Sequence, residues 1–134
     1  MVESRAEVRE VRSSEDVVLA RGLVREAAVA AGLSLVDQTK LVTAASELAR
    51  NMVIYGGGGT LHVTPFTDGA RRGVRLVFED RGPGIADLEQ ALRDGFSSGN
   101  GLGLGLGGAR RLVNEFDIHT RPGEGTRVTI ARWK

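Results

Sequence analysis

The chain contains no cysteine and only two histidines, His62 and His119, far apart along its 134 residues. No disulfide framework and no thiolate metal site can form from this inventory, and two isolated imidazoles make no ligand cluster, so a metal here is expected to be bound by oxygen. An excess of one charge is also missing: 18 Lys and Arg stand against 17 Asp and Glu, a net charge of +1. That balance gives no global electrostatic case for nucleic acid or a membrane surface, and a protein or small-molecule partner is expected instead. No apolar run approaches membrane-spanning length, and the opening MVESRAEVRE lacks the apolar core of a signal peptide, so the expected compartment is the cytoplasm. A 41% hydrophobic and 26% charged composition at this length fits one globular domain over residues 1–134.

Glycine is what the chain has in abundance, 19 in all, and they concentrate in GNGLGLGLGGARRL from Gly99 to Leu112. Without Cβ atoms the backbone can turn successive amides toward an anion and pass within contact distance of it, and a following helix adds its unpaired N–H groups. The stretch matches neither the GK[ST] ending of a Walker A loop nor a dinucleotide fingerprint, which must follow a strand. Taken alone, such a stretch is more often a flexible turn than a nucleotide site.

Along the chain, Ala6 to Val11 has strand character and Ser13-Ser14-Glu15-Asp16 is a helix-start signal. Val17, Ala20, Val24, Ala27, Ala28 and Ala31 recur at helical spacing until Gly32. Ser34 and Asp37 open a second helix with Leu41, Ala45, Leu48 and Met52 on one stripe, ending at Tyr55 before the Gly56–Gly59 run. Thr60 to Phe66 and Val74 to Glu79 read as a hairpin about Asp68-Gly69. Asp87 to Arg93 reads as a short helix, Gly95 to Gly108 as flexible, and Ala109 to Phe116 as a helix. Asp117 to Thr120 and Thr126 to Trp133 form a last hairpin about Pro122-Gly123-Glu124-Gly125, with Val128 and Ile130 on one face. The expected fold class is α/β, a two-layer sandwich of a mixed, mostly antiparallel sheet with helices packed on one face.

Two further segments carry chemical groups. In Glu47-Leu48-Ala49-Arg50-Asn51, the i, i+4 spacing puts a carboxylate and an amide oxygen on one helix face, which suits a general base beside a Mg²⁺ ligand; taken alone, the segment reads first as a solvated helix face. In Asp80-Arg81-Gly82-Pro83-Gly84, a carboxylate at a strand end can accept from an exocyclic amine while the glycines leave room for a flat ring; a plain strand-ending turn is the alternative.

The order of TAASELARN, FEDRGPGI, DGFSSGNGLGLGLGGARRLVNEF and RPGEGT changes this weighing, since four boxes in order and in register are far more specific than any one. Together they resemble the Bergerat-fold (GHKL) ATPase superfamily over the whole chain, and within it the stressosome serine kinases of the RsbT-type switch family, relatives of anti-sigma factor kinases. The resemblance implies ATP and Mg²⁺ as cofactors. It assigns Asn51 to Mg²⁺, Asp80 to the adenine amine, Gly82 and Gly84 to admitting the base, Gly101, Gly103, Gly105 and Gly107 to covering the phosphates, and Thr126 to supporting the adenine end. Glu47 becomes the base that takes the proton from a protein serine. The implied function is a serine/threonine kinase that modifies a STAS-domain scaffold or antagonist and then engages a PP2C-type phosphatase; the alternative is an anti-sigma factor kinase that binds a sigma factor directly.

The chain departs from the family pattern in one respect. Anti-sigma kinases tend to carry a basic residue just ahead of the phosphate-loop glycines, whereas Ser97 to Leu106 contains no Lys or Arg. Arg50, Arg110 and Arg111 are the nearby candidates for a γ-phosphate cation, with solvated helix charge as their plainer role.

Overall fold

The computed structural model describes residues 2–85, 92 and 105–134. Two short strands, β1 (Val2–Glu3) and β2 (Glu7–Val11), lead into helix α1 (Ser14–Ala30). Ser13 caps it: its Oγ accepts from the Asp16 amide at 3.2 Å, and Asp16 Oδ2 accepts from the Arg12 amide at 2.9 Å. These oxygens take up N–H groups near the helix start that have no partner within the helix. Helix α2 (Leu35–Gly56) begins in the same way, with Ser34 Oγ accepting from the Asp37 amide at 3.1 Å, and stops at Gly57, whose φ of 74° is left-handed.

Strands β3 (Gly59–Asp68) and β4 (Arg71–Asp80) form a hairpin that pairs residue for residue from Asp68 and Arg71 to Gly59 and Asp80. Helix α3 (Gly105–Arg111) and the hairpin of β5 (Glu115–Arg121) and β6 (Gly125–Trp133) complete the described chain. The sheet runs β1-β3-β4-β6-β5, with β2 also paired to β3, and every ladder among the described residues is antiparallel. The expected two-layer α/β class is what the chain adopts.

Alternation in the strands turns Leu61, Val63, Leu76, Phe78, Val128 and Ile130 toward the helices. There they join Val24, Ala28, Leu41, Ala45 and Leu48 in one buried cluster. The opposite face carries no helix among the described residues. It is partly covered by its own side chains: Arg75 lies 5.0 Å over the Phe66 ring and pairs with Glu3 and Glu115, and Phe66 meets Trp133 edge-on at 6.2 Å.

The glycine-rich region departs from its sequence reading. A flexible segment to Gly108 and a helix from Ala109 to Phe116 are expected, yet the helix spans Gly105–Arg111 and Phe116 lies in β5, opposite Ile130. Glycine's low helix propensity argues for a loop, but tertiary packing overrides propensity. Gly105, Leu106, Gly107 and Ala109 are buried in a helix that contacts α2, and the small size of the glycines and Ala109 lets two backbones approach. The helix ends early because Arg132 Nη1 donates to Leu112 O at 3.1 Å and the Asn114 amide donates to Ala131 O at 2.9 Å, drawing the chain into the sheet. Strand β1 also has no counterpart in the sequence reading. The expected 87–93 helix lies outside the described residues.

Arg132 ties this region to the start of α2 as well, with Nη2 at 2.6 Å and Nε at 3.1 Å from Asp37 Oδ1. The hydrogen bond from Arg132 holds the Asp37 carboxyl below its ordinary 3.8, against the opposing effect of burial. A carboxyl lowered on folding stabilises the fold above its unfolded value, and that contribution disappears as pH falls through the folded value. Thermal stability is therefore expected to decline as pH drops below 3.8. Asp37→Asn is expected to be less stable at neutral pH and to show a flatter acid limb, measured as melting temperature against pH.

Candidate functional site

Helix α2 supplies the first group. Glu47 is 8% exposed, the one charged side chain counted as buried among the described residues. Its Oε1 accepts from the Gly105 amide at 3.1 Å and its Oε2 accepts from Arg50 Nη2 at 2.8 Å. Of the two readings open at the level of sequence, a solvated helix face does not describe Glu47. Asn51 follows one turn later, half-buried. The two residues keep the i, i+4 relation that makes them neighbours on the helix surface.

The second group lies where α2 ends. Asp80 closes β4, and its Oδ1 accepts from the Gly82 amide at 2.9 Å. Among the described residues no hydrogen bond reaches its Oδ2. The fit against α2 is close: a Cβ placed on Gly56 would stand 2.5 Å from Asp80 Cγ, and one on Gly82 would stand 2.7 Å from Gly56 Cα. Gly84, at φ 77°, would drive a Cβ to 2.3 Å from Arg121 O. The bareness of Gly82 and Gly84 thus serves chain-to-chain approach here, in addition to any room it leaves for a ring.

Thr126 stands directly across the β4–β6 ladder from Asp80. Its hydroxyl is 2.9 Å from Thr120 Oγ1, which accepts from the Ile85 amide at 2.9 Å and donates to Gly125 O at 3.3 Å. A threonine hydroxyl has one proton. With the Thr120 proton given to Gly125 O, the Thr126 hydroxyl donates its own to Thr120 and turns its oxygen lone pairs outward. An open pocket of about 250 Å³ lies at these strand ends, lined by Asp80, Thr120 and Thr126 and, from the sheet face away from the helices, by Glu79, His119 and Arg127.

The fold therefore brings Asp80, Gly82 and Thr126 together at the end of α2, and sets Glu47 against Gly105 of α3. Gly107 is buried within α3. Gly101 and Gly103 lie outside the described residues. Sequence reasoning passed over Gly56, seen only as part of a pattern-breaking run, and Thr120, whose signal was its position six residues before Thr126. It also treated Arg50 as helix charge, although i, i+3 spacing from Glu47 permits the pair. Arg110 and Arg111 lie exposed in the last turn of α3. No group of three or more His, Cys, Asp or Glu side chains converges among the described residues. The donor set near Glu47 is then one amide oxygen, which suits Mg²⁺ when phosphate oxygens and water supply the other ligands.

Because Gly56 has no side chain where Asp80 packs, Gly56→Ala is expected to displace the Asp80 carboxylate. Overpacking of this kind costs about 1 to 3 kcal/mol. Melting temperature and nucleotide affinity should fall together, with calorimetry and thermal unfolding as the checks.

No helix among the described residues is long and apolar enough to cross a membrane. Residues 36–134 match the family of histidine kinase-, DNA gyrase B- and HSP90-like ATPases. The chain is 42% identical over 118 residues to the serine/threonine-protein kinase RsbT of Bacillus subtilis (strain 168), covering 88% of this chain and 89% of that protein. It is 24% identical over 133 residues to the anti-sigma F factor of Thermoanaerobacter sp. (strain X514), covering 95% and 92%, and equally similar to that of Thermoanaerobacter pseudethanolicus. ATP use follows from the family. With most of its length matched on both counts, the chain belongs to the histidine kinase-, DNA gyrase B- and HSP90-like ATPases and, within them, to the serine/threonine-protein kinases of the RsbT type.

Proposed function

We propose that the chain phosphorylates a serine or threonine of a STAS-domain protein with ATP and Mg²⁺, and then exchanges that partner for a PP2C-type phosphatase in the cytoplasm. The observation that carries this reading is Glu47: a buried carboxylate, anchored by the Gly105 amide at 3.1 Å, one turn from the amide of Asn51.

Asp80 Oδ2 accepts the adenine amine, and the Thr126 hydroxyl supports the same end. Gly101 and Gly103 cover the phosphates, while Gly105 gives its amide to Glu47 and Gly107 is buried in α3. Mg²⁺, held on the protein side by Asn51, supplies charge neutralisation of the phosphates. Phosphoryl transfer depends chiefly on positioning and on that neutralisation, which leaves one proton for the protein to handle. Glu47 accepts it from the acceptor hydroxyl as the hydroxyl oxygen forms its bond to the γ-phosphorus; the bond from that phosphorus to the β–γ bridging oxygen breaks, and ADP departs.

A second reading is an anti-sigma factor, favoured by the nearly full-length similarity to anti-sigma F factors. The same nucleotide site then serves a complex with a sigma factor. Affinity capture with ATP and with ADP, probed for STAS proteins, PP2C phosphatases and sigma factors, separates the two. Labelled phosphate from ATP on a captured STAS protein, with capture of the phosphatase after modification, is the expected result. Capture of a sigma factor alone overturns it.

A further inference from the structure

We infer that Arg50 is a positioning residue for Glu47: it fixes the plane of the base carboxylate from the solvent side while the Gly105 amide fixes it from the interior. The inference rests on the reading of Glu47 as general base. Its observations are the two bonds on opposite oxygens, Arg50 Nη2 to Oε2 at 2.8 Å and Gly105 N to Oε1 at 3.1 Å, and the different settings of the two donors. The Gly105 amide belongs to a buried helical residue packed on α2 and cannot be varied by a side chain. The Arg50 side chain is 37% exposed, at the rim of the site.

A carboxylate has about four lone-pair sites, so two donors leave two sites for an incoming hydroxyl proton. What the donors remove is rotation. A glutamate on an unpaired stem samples several rotamers, and a base must lie within hydrogen-bond reach of the proton it abstracts. An ordinary i, i+3 ion pair on a helix surface joins two solvated groups and contributes little. Here the acid is buried and its partner is not, so the guanidinium also supplies the countercharge that a desolvated carboxylate requires. The contact passes through one guanidinium nitrogen, and a lysine ammonium can therefore take over part of it.

Arg50→Ala is expected to lower kcat for transfer to the STAS-domain protein by roughly 10- to 100-fold, the scale on which misplacing a reacting group acts. ATP affinity should be unchanged, and Arg50→Lys should recover part of the rate. In a Glu47→Gln background, Arg50→Ala should cost nothing further, because the carboxylate it orients is gone. Melting curves of each variant show that the fold is kept. An equal loss in both backgrounds, or a raised KM for ATP with kcat unchanged, overturns the positioning role and makes Arg50 a direct phosphate or partner contact. Failure of Glu47→Gln alone to slow transfer overturns the base assignment and this inference with it, an outcome distinct from additive losses.

Discussion

Glu47→Gln is expected to bind ATP almost as tightly as the unsubstituted chain and to transfer phosphate roughly 10²- to 10⁴-fold more slowly, the range associated with losing a general base. The substitution keeps shape and can keep the inner hydrogen bond, since the glutamine oxygen can accept from the Gly105 amide where Oε1 now does at 3.1 Å. Its NH₂ then faces the Arg50 guanidinium, donor against donor, and Arg50 turns into solvent. What is lost is the capacity to take a proton. A calorimetric titration beside a labelled-ATP transfer assay distinguishes this from collapse of the site. Transfer at the original rate would falsify Glu47 as the general base while leaving the kinase activity itself in place.

Asp80→Asn is expected to weaken ATP binding by about 10- to 150-fold, equivalent to the 1.5 to 3 kcal/mol of a hydrogen bond to a charged group. The geometry gives a specific reason. Gly82 N–H already holds Oδ1 at 2.9 Å, so the asparagine oxygen settles there and its NH₂ takes the place of Oδ2. A donor then confronts the adenine amine, itself a donor. The Gly82 bond survives, so the melting temperature should change little while affinity falls. Unchanged affinity in the folded variant removes Asp80 from the nucleotide site.

Much of this arrangement is legible in the sequence because local rules decide it. Ser13 and Ser34 mark helix starts by their capping oxygens, the apolar spacing of α1 and α2 names the buried faces, and Asp68-Gly69 and Pro122-Gly123 mark hairpins. The order of the boxes around Glu47, Asp80 and Thr126 is legible for the same reason: each is a short local pattern. What escapes is set by contacts between distant segments. Gly105 opens a helix because α2 packs on it, and no propensity scale contains α2. The hydrogen bond from Gly105 to Glu47 joins residues 58 apart, and the need for a bare Cα at Gly56 appears only when Asp80 arrives from the end of β4. The pairing of β1 with β3 spans a similar distance, and two residues hold no readable pattern.

Strand β4, which carries Asp80, is paired on both edges from Gly73 to Asp80. Helix α3, which meets Glu47, has seven described residues. Backbone amides exchange with solvent through openings whose free energies differ from segment to segment. The two halves of the site are therefore built on parts of the fold that open at different cost. Deuterium should enter the amides of α3 long before those of β4 leading to Asp80. On warming, detachment of α3 is expected to remove the anchor on the Glu47 carboxylate while the strand end that carries Asp80 persists. Phosphate transfer is therefore expected to be lost at a lower temperature than nucleotide binding.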